Sequence, residues 1–259
     1  MYLTFYTGVF VLLTGYGMVV RPWLDSVLVE IGGLAMFALF LANYYKCLFT
    51  DNSVSAAEMA SRSVGDQIDL AHDDLATDCN ICRARRPARA HHCRRCGTCI
   101  LQFDHHCIWI ANCVGYRNRG HFTRCLLFGT LTCIFMFALL LIRISDALSV
   151  EYSTNAEFPM SITLIVGAGV NLTILTPLSA LLAMMTYNHM CLICSNQTSV
   201  ELLEMEDAKS MNVAYTNPFD LGYMNNLEMV FGRNLFLWWL PQDMEGDGYR
   251  FNTNSFKYN

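Results

Sequence analysis

Cys79-Asn-Ile-Cys82, His91-His92-Cys93-Arg-Arg-Cys96-Gly-Thr-Cys99, Asp104-His105-His106-Cys107 and then Cys113 bring seven cysteines and four histidines into 35 residues. A tetrahedral zinc site takes four Cys or His ligands, usually supplied as pairs two residues apart, so eleven candidates are enough for two ions with three left over. The surplus matters most. It can leave a cysteine and a histidine beside an aspartate, which are the parts of an activated thiol nucleophile. Spacing alone does not decide which ligands share an ion, and a reading in which Cys107 is itself a ligand stays open at this point.

The order C-x2-C-x9-H-C-x2-C-x2-C-x4-D-H-H-C-x5-C, followed by Asn118 and Phe122 as N-x3-F, resembles the cysteine-rich domain of the DHHC-type zinc-finger protein S-acyltransferases, or palmitoyltransferases. Two further stretches are similar to that family: Thr198-Ser199-Val200-Glu201 to its Thr-Thr-x-Glu, and Asn217-Pro-Phe-Asp220-Leu-Gly222 with Asn226 and Val230-Phe-Gly232 to its C-terminal motif. The chain departs from the pattern in having Ile108 where proline commonly follows the catalytic cysteine, and Ser199 in place of the second threonine. The resemblance implies an interleaved metal arrangement: Cys79, Cys82, His92 and Cys99 on one Zn2+, and Cys93, Cys96, His106 and Cys113 on a second. It implies Cys107 as nucleophile, His105 as its base and Asp104 as the group that orients His105. Alternation of side chains along an extended strand agrees, since His105 and Cys107 share one face while His106 turns to the other. Acyl-CoA is the implied acyl donor, with Arg86, Arg89 and His91 best placed between the metal ligands to meet its phosphates.

Composition sets the class independently. With 54% hydrophobic and 15% charged residues, the chain is too apolar for an ordinary soluble domain of its length. Four stretches, about residues 2–20, 27–45, 125–143 and 162–185, are long enough to cross roughly 30 Å of hydrocarbon as helices. The first lacks a basic leader and stays apolar beyond the length of a signal peptide, so it is read as an uncleaved span. The expected fold is therefore an all-α polytopic membrane protein: four transmembrane helices with a cytosolic two-zinc cysteine-rich domain between helices 2 and 3. Its expected divisions are 1–49 (helices 1 and 2), 50–78 (acidic cytosolic linker), 79–122 (catalytic zinc domain), 123–186 (helices 3 and 4) and 187–259 (cytosolic C-terminal region).

Basic residues orient the chain. Lys46, Arg62, Arg83, Arg85, Arg86, Arg89, Arg94, Arg95, Arg117, Arg119 and Arg124 lie between the second and third spans, whereas Ile144 to Pro159 has no Lys or Arg and carries Asp146, Glu151 and Glu157. This places the cysteine-rich segment and both termini in the cytosol, where thiols stay reduced and a cysteine cluster reads as metal-binding or catalytic. A net charge of −5 argues against a nucleic-acid partner.

No internal repeat stands out, and residues 50–78 read as a solvated linker carrying Asp66, Asp69, Asp73, Asp74 and Asp78. His189, Cys191 and Cys194 supply only three ligands just after a span, so they read as reduced bystanders or a lipidated juxtamembrane cysteine. Phe231 to Leu240, with Trp238 and Trp239, is too short to span and suits an interface.

The implied function is transfer of a long fatty acyl group from acyl-CoA through acyl-Cys107 to cysteines of membrane-associated proteins. About fourteen methylenes at ~0.8 kcal/mol each bind the acyl chain to the bilayer, so the lipid bilayer is itself a partner. The expected location is endomembrane (Golgi or ER) or plasma membrane. The terminal carbons are expected to meet Met136, Phe137, Leu140 and Leu141 in the third span, with Ala138 as a small neighbour. The alternative is a membrane-anchored zinc scaffold that binds partner proteins with weak or no catalysis.

Overall fold

A computed structural model describes residues 27–65, 76–154 and 162–254. The expected span at 2–20 and the acidic residues Asp66, Asp69, Asp73 and Asp74 lie outside them. The chain divides into two compact units, one of Met1–Leu41 with Cys125–Tyr187, the other of Ala42–Arg124 with Asn188–Asn259.

Among the described residues, three helices are long and apolar enough to cross a membrane: α1 (Val27–Phe49), α3 (Arg119–Thr154) and α4 (Ile162–Cys194), with candidate spans Val29–Phe49, Arg119–Asp146 and Ile165–Cys194. At 1.5 Å per residue the 36 residues of α3 reach about 54 Å, so the helix outruns a bilayer core and continues past the expected boundary near Ile144. Within the first unit the helices close over small residues, as apolar solvent demands. A Cβ on Gly33 would come within 2.7 Å of the Phe135 ring, and one on Gly129 would sit 3.4 Å from Phe40 and 3.6 Å from Leu182. The inward stripe of α3 is Cys133, Met136 and Leu140, packed with Ala168 and Leu175 of α4. Ala138 and Leu141 are on the exposed side, so Met136 and Leu140 of the four expected contacts face the buried cluster.

The second unit is not all-α. Among its described residues, seven short strands pair: β1 (Ser53–Val54), β2 (Thr77–Cys79), β3 (Ala84–Arg86), β4 (His91–Cys93), β5 (Thr98–Ile100), β6 (His105–Cys107) and β7 (Asn112–Val114). The segment read as a linker is partly folded. β1 adds to β5, Val54 is fully buried, and the helix α2 (Ala56–Gly65) follows, its Met59 in the same core as Leu101, Tyr116, Phe219 and Phe251.

A repeat absent from the sequence reading emerges in the register. Hairpins β2–β3, β4–β5 and β6–β7 pair identically, with Cys79 opposite Ala84, Cys93 opposite Thr98 and Cys107 opposite Asn112, at a fourteen-residue spacing. Each turn then contains a positive φ, at Arg83 (53°), Gly97 (71°) and Ala111 (48°). The repeat escapes a motif search because the third turn has Ile110 where the first two have Cys82 and Cys96, and Ala111 where the second has glycine.

The C-terminal part consists of α5 (Ser199–Ser210), α6 (Tyr223–Phe231) and a 3-10 turn at Leu235–Leu237. Asparagines satisfy the carbonyls that a helix end leaves open: Asn226 Nδ2 donates to Cys194 O at 2.8 Å, and Asn217 Nδ2 to Ser195 O at 2.6 Å. Trp238 packs on Phe231 with ring centroids 5.4 Å apart, while Phe236 stands 85% exposed.

The strongest electrostatic tie is Arg89 to Glu201. Nε and Nη2 donate to the two carboxylate oxygens at 2.6 and 2.8 Å, and both side chains are buried. Burial opposes the charge on Glu201, but the Arg89 guanidinium holds its carboxyl below the ordinary range. Arg89→Met leaves that carboxylate unpaired and is expected to cost about 3–5 kcal/mol. The Arg89→Met/Glu201→Leu double variant should lose much less, as measured by denaturation in detergent. Because the folded pKa is depressed, the pair's contribution is complete above the ordinary carboxylate value and fades as pH falls through the lowered one.

Candidate active site and metal centres

The three hairpins generate the ligand sets. His92 lies opposite Cys99 in β4–β5, and these two meet Cys79 and Cys82 from the preceding turn. His106 lies opposite Cys113 in β6–β7 and meets Cys93 and Cys96 from the turn before it. Each group therefore takes a turn pair from one hairpin and a cross-strand pair from the next. In the first, His92 Nδ1 is 3.3 Å from Cys82 Sγ, 3.7 Å from Cys79 Sγ and 3.9 Å from Cys99 Sγ. In the second, His106 Nδ1 is 3.4 Å from Cys96 Sγ, 3.5 Å from Cys113 Sγ and 3.7 Å from Cys93 Sγ. Tetrahedral bonds of roughly 2.3 Å to sulfur and 2.0 Å to nitrogen place such ligands about 3.5–3.8 Å apart, so both groups fit a metal ion. Burial, together with the crowding sulfurs of Cys79 and Cys82, pushes the Cys99 thiol far up, and burial with Cys93 and Cys96 does the same to Cys113. A dication at the centre reverses that repulsion.

Cys107 is left over for a structural reason. Its turn offers Ile110 in the place of a second cysteine, and among the described residues no further His/Cys hairpin follows to complete a set. On its strand, Cys107 shares a face with His105, and the two side chains hydrogen-bond. His105 Nδ1 lies 2.6 Å from Asp104 Oδ2, which leaves Nε2 for the thiol. Asp104 is 1% exposed, yet its carboxylate accepts two more bonds, from Ser199 N at 2.8 Å and Ser199 Oγ at 3.0 Å. Burial opposes its ionisation, but the His105 bond and the charge of Arg119 hold the carboxyl well below the usual range. Burial likewise opposes the imidazolium, while Asp104 and Cys107 raise His105 to about 9. Burial works against a thiolate at Cys107, and the His105 bond with the Ile110 and Trp109 backbone N–H groups brings its pKa below the ordinary thiol value. These opposed shifts favour a thiolate–imidazolium pair, the state in which a cysteine is nucleophilic.

The C-terminal segments hold Asp104 in place. Thr198 caps α5 in a capping box with Glu201, which fixes Ser199 at the first turn where its N–H points outward to Asp104. Serine keeps the hydroxyl that the resembling family's threonine would supply. Phe122 stacks edge-on against His105 at 5.4 Å, and Asn118 locks the exit of β7 by bonding Cys113 O and Gly115 N at 2.9 Å each. Asn112, opposite Cys107, donates to Cys47 O and Thr50 O at the end of α1, and Tyr44 Oη donates to Trp109 O at 2.9 Å.

Of the three residues expected at phosphates, Arg89 is corrected: its guanidinium is buried on Glu201 and Asn196 and lies 4.2 Å over the Phe219 ring. Arg86 is half-buried with Nε on Thr77 Oγ1 at 2.6 Å, and His91 is half-buried beside Phe103. Burial and the Arg86 charge both lower the His91 pKa. Sequence reasoning passed over Gln102 and Arg119, both buried. The Gln102 amide oxygen, oriented by its surroundings, accepts from both Arg89 and Arg119, and Arg119 also donates to Gln197 O. It also set aside His189, which packs on Phe122 and His105.

Comparison with known proteins bears on this geometry. The family profile described as DHHC palmitoyltransferase matches residues 73–206. The chain is 34% identical over 167 residues to "Probable protein S-acyltransferase 15" of Arabidopsis thaliana, covering 63% of each chain. It is 35% identical over 180 residues to "Probable protein S-acyltransferase 16" of the same plant, covering 68% of this chain and 61% of the relative. To "Palmitoyltransferase ZDHHC15A" of Danio rerio it is 33% identical over 175 residues, covering 67% of this chain and 50% of the relative. The chain thus spans half to about two thirds of the length of these relatives.

The two histidines of the D-H-H-C run are expected to separate by metal content. His106→Ala should remove one of two bound ions per chain, whereas His105→Ala should keep both, as counted by elemental analysis of the purified protein. Equal loss in the two variants would refute the division of ligands.

Proposed function

Since the chain belongs to the DHHC palmitoyltransferase family, we propose that it is a protein S-acyltransferase acting through an acyl-Cys107 intermediate. The observation that carries this reading is the Asp104–His105–Cys107 arrangement beside two complete four-ligand groups that leave the Cys107 thiol out. The two groups hold structural Zn2+, whose contribution is to cross-link the hairpins.

Cys107 thiolate attacks the thioester carbonyl of acyl-CoA, the bond from carbonyl carbon to CoA sulfur breaks, and the leaving thiolate takes the proton from His105. A substrate cysteine then gives its proton to His105 and attacks the acyl-Cys107 carbonyl, which returns the Cys107 thiolate. Asp104 holds the His105 tautomer and orientation throughout, with Ser199 fixing Asp104. Arg86 and His91 are the groups we assign to the CoA head, Arg89 being engaged by Glu201. The bias of basic residues favours a cytosolic site, and α1, α3 and α4 favour a multi-pass membrane protein. Cysteines of membrane-associated proteins are the acceptors such a site would meet.

Cys107→Ser is expected to abolish acyl loading while leaving both zinc ions and membrane insertion in place, as read by hydroxylamine-sensitive labelling of the purified protein. Loss of zinc in that variant would instead make Cys107 a ligand.

We place the acyl tail along the inward stripe of α3. On that footing Ala168→Phe, which adds bulk to the buried cluster with Met136 and Leu140, should shift loading towards shorter acyl-CoAs, whereas Ala138→Phe on the exposed side should not. Competition between acyl-CoAs of different length measures this, and an unchanged profile in Ala168→Phe would move the tail elsewhere.

A further inference from the structure

Asp104, His105 and His189 each offer one ligand atom, a carboxylate oxygen and two ring nitrogens, all within 4.8 Å of one another. From this juxtaposition we infer a third cation site, one that takes a divalent transition-metal ion such as Zn2+ and shuts off the thiol chemistry.

An independent feature points to a ligand there. His189 is 6% exposed, and its Nδ1 is buried with no hydrogen-bond partner among the described residues. Buried polar atoms are nearly always satisfied, so an orphaned imidazole nitrogen beside a carboxylate calls for an occupant. The ring is held in place by Phe122, at 4.9 Å and 65°, and by His105, at 5.7 Å and 53°. The structure groups His189 with Asp104 and His105 and not with Cys191 or Cys194, its neighbours in sequence.

The donor set decides the class of ion. Two imidazoles and one carboxylate bind first-row divalent ions with coordination positions left open, as in three-ligand zinc sites. Ligands on zinc at about 2.0 Å stand roughly 3.3 Å apart, so His105 Nδ1 and Asp104 Oδ2 must part from 2.6 Å while the His189 ring turns towards them. The set contains no thiolate, which distinguishes it from the two cysteine-rich groups.

Binding replaces a proton. His105 Nδ1 gives up to solvent the hydrogen it shares with Asp104 Oδ2 across 2.6 Å, and the ion bridges the two atoms, with His189 as third ligand and water completing the shell. Asp104 keeps its bond from Ser199 N. A dication on Nδ1 leaves the remaining ring proton fixed on Nε2 of a neutral, metal-bound imidazole, so His105 no longer gives that proton to the leaving CoA thiolate and acyl loading stops. This consequence rests on the acyl-transfer reading, whereas the binding does not, and the experiment reads them separately.

The test uses the full chain in detergent with its resident ions in place, titrated with buffered free Zn2+. Bound metal should rise from two to three ions per chain while loading of labelled acyl groups falls. His189→Gln and His189→Phe should stay at two, and the free Zn2+ needed to halve each variant's own zinc-free loading should rise by at least ~10-fold. Cys107→Ser should still take the third ion. With Co2+ as probe, the third equivalent should add no thiolate-to-metal charge-transfer absorption. Wild-type protein that stops at two ions, His189 variants that take a third, or a thiolate band from the third Co2+ would each overturn the site. If a variant loses resident ions and so reports misfolding, the wild-type count and the cobalt band still decide. Zinc uptake with undiminished acyl loading would leave a metal site but overturn its inhibitory role.

Discussion

Three sulfurs, each within 3.9 Å of one ring nitrogen, repel as thiolates unless a dication lies among them, and the second unit is organised around two such groups. The hairpins they join have strands of three residues each, far too short to stand alone in water. Metal ligation at these groups would add to the small core that such strands build, and the interleaving would make each ion a link between successive hairpins. Because the links run in one direction, the third hairpin delivers His106 and Cys113 backwards and, among the described residues, has no further hairpin ahead of it to bind. Its turn cysteine is therefore released. The proposed role of Cys107 as nucleophile draws on that position at the end of the array.

What could be read from the sequence follows from what spacing encodes. Ligand pairs two residues apart and a D-H-H-C run are local, so the eleven candidate residues are legible from spacing, whereas the division of eight ligands from Asp104, His105 and Cys107 comes from the family resemblance. The role of Arg89 is not legible locally, because its partner Glu201 is 112 residues away and an arginine between metal ligands looks the same whether it faces phosphate or a buried carboxylate. His189 was set aside because its sequence neighbours are Cys191 and Cys194, whereas its spatial neighbours are Phe122 and His105. Residues 50–65 read as solvated because polarity is an average. The ordering of Asn52 and Val54 depends on single contacts, Asn52 to Cys113 O and Arg117 N, and Val54 to the edge of β5. The inward face of the third span needed Met136 and Leu140 to be seen against Ala168, since every position of that stretch is apolar and periodicity has nothing to act on.

The repeat also accounts for part of what lowers the Cys107 pKa against the effect of burial. In the first two hairpins the turn cysteine receives backbone N–H bonds from the residues two and three further on, Ile81 and Cys82 for Cys79, Arg95 and Cys96 for Cys93. Cys107 receives the same pair, from Trp109 and Ile110. These donors belong to the turn, not to the ligand chemistry, so the substitution of Cys by Ile at position 110 removes a metal ligand without disturbing the amides. What changes is the counter-charge. A fixed dication would hold a thiolate too tightly to let it attack a carbonyl. An imidazolium backed by Asp104 is a single charge that can hand over its proton and take it back. The third turn thus differs from the two metal-binding turns in lacking one sulfur and in having a titratable partner on the same strand, with the Asp104 carboxylate and its Ser199 donors holding that partner in line, which is what the proposed nucleophile requires.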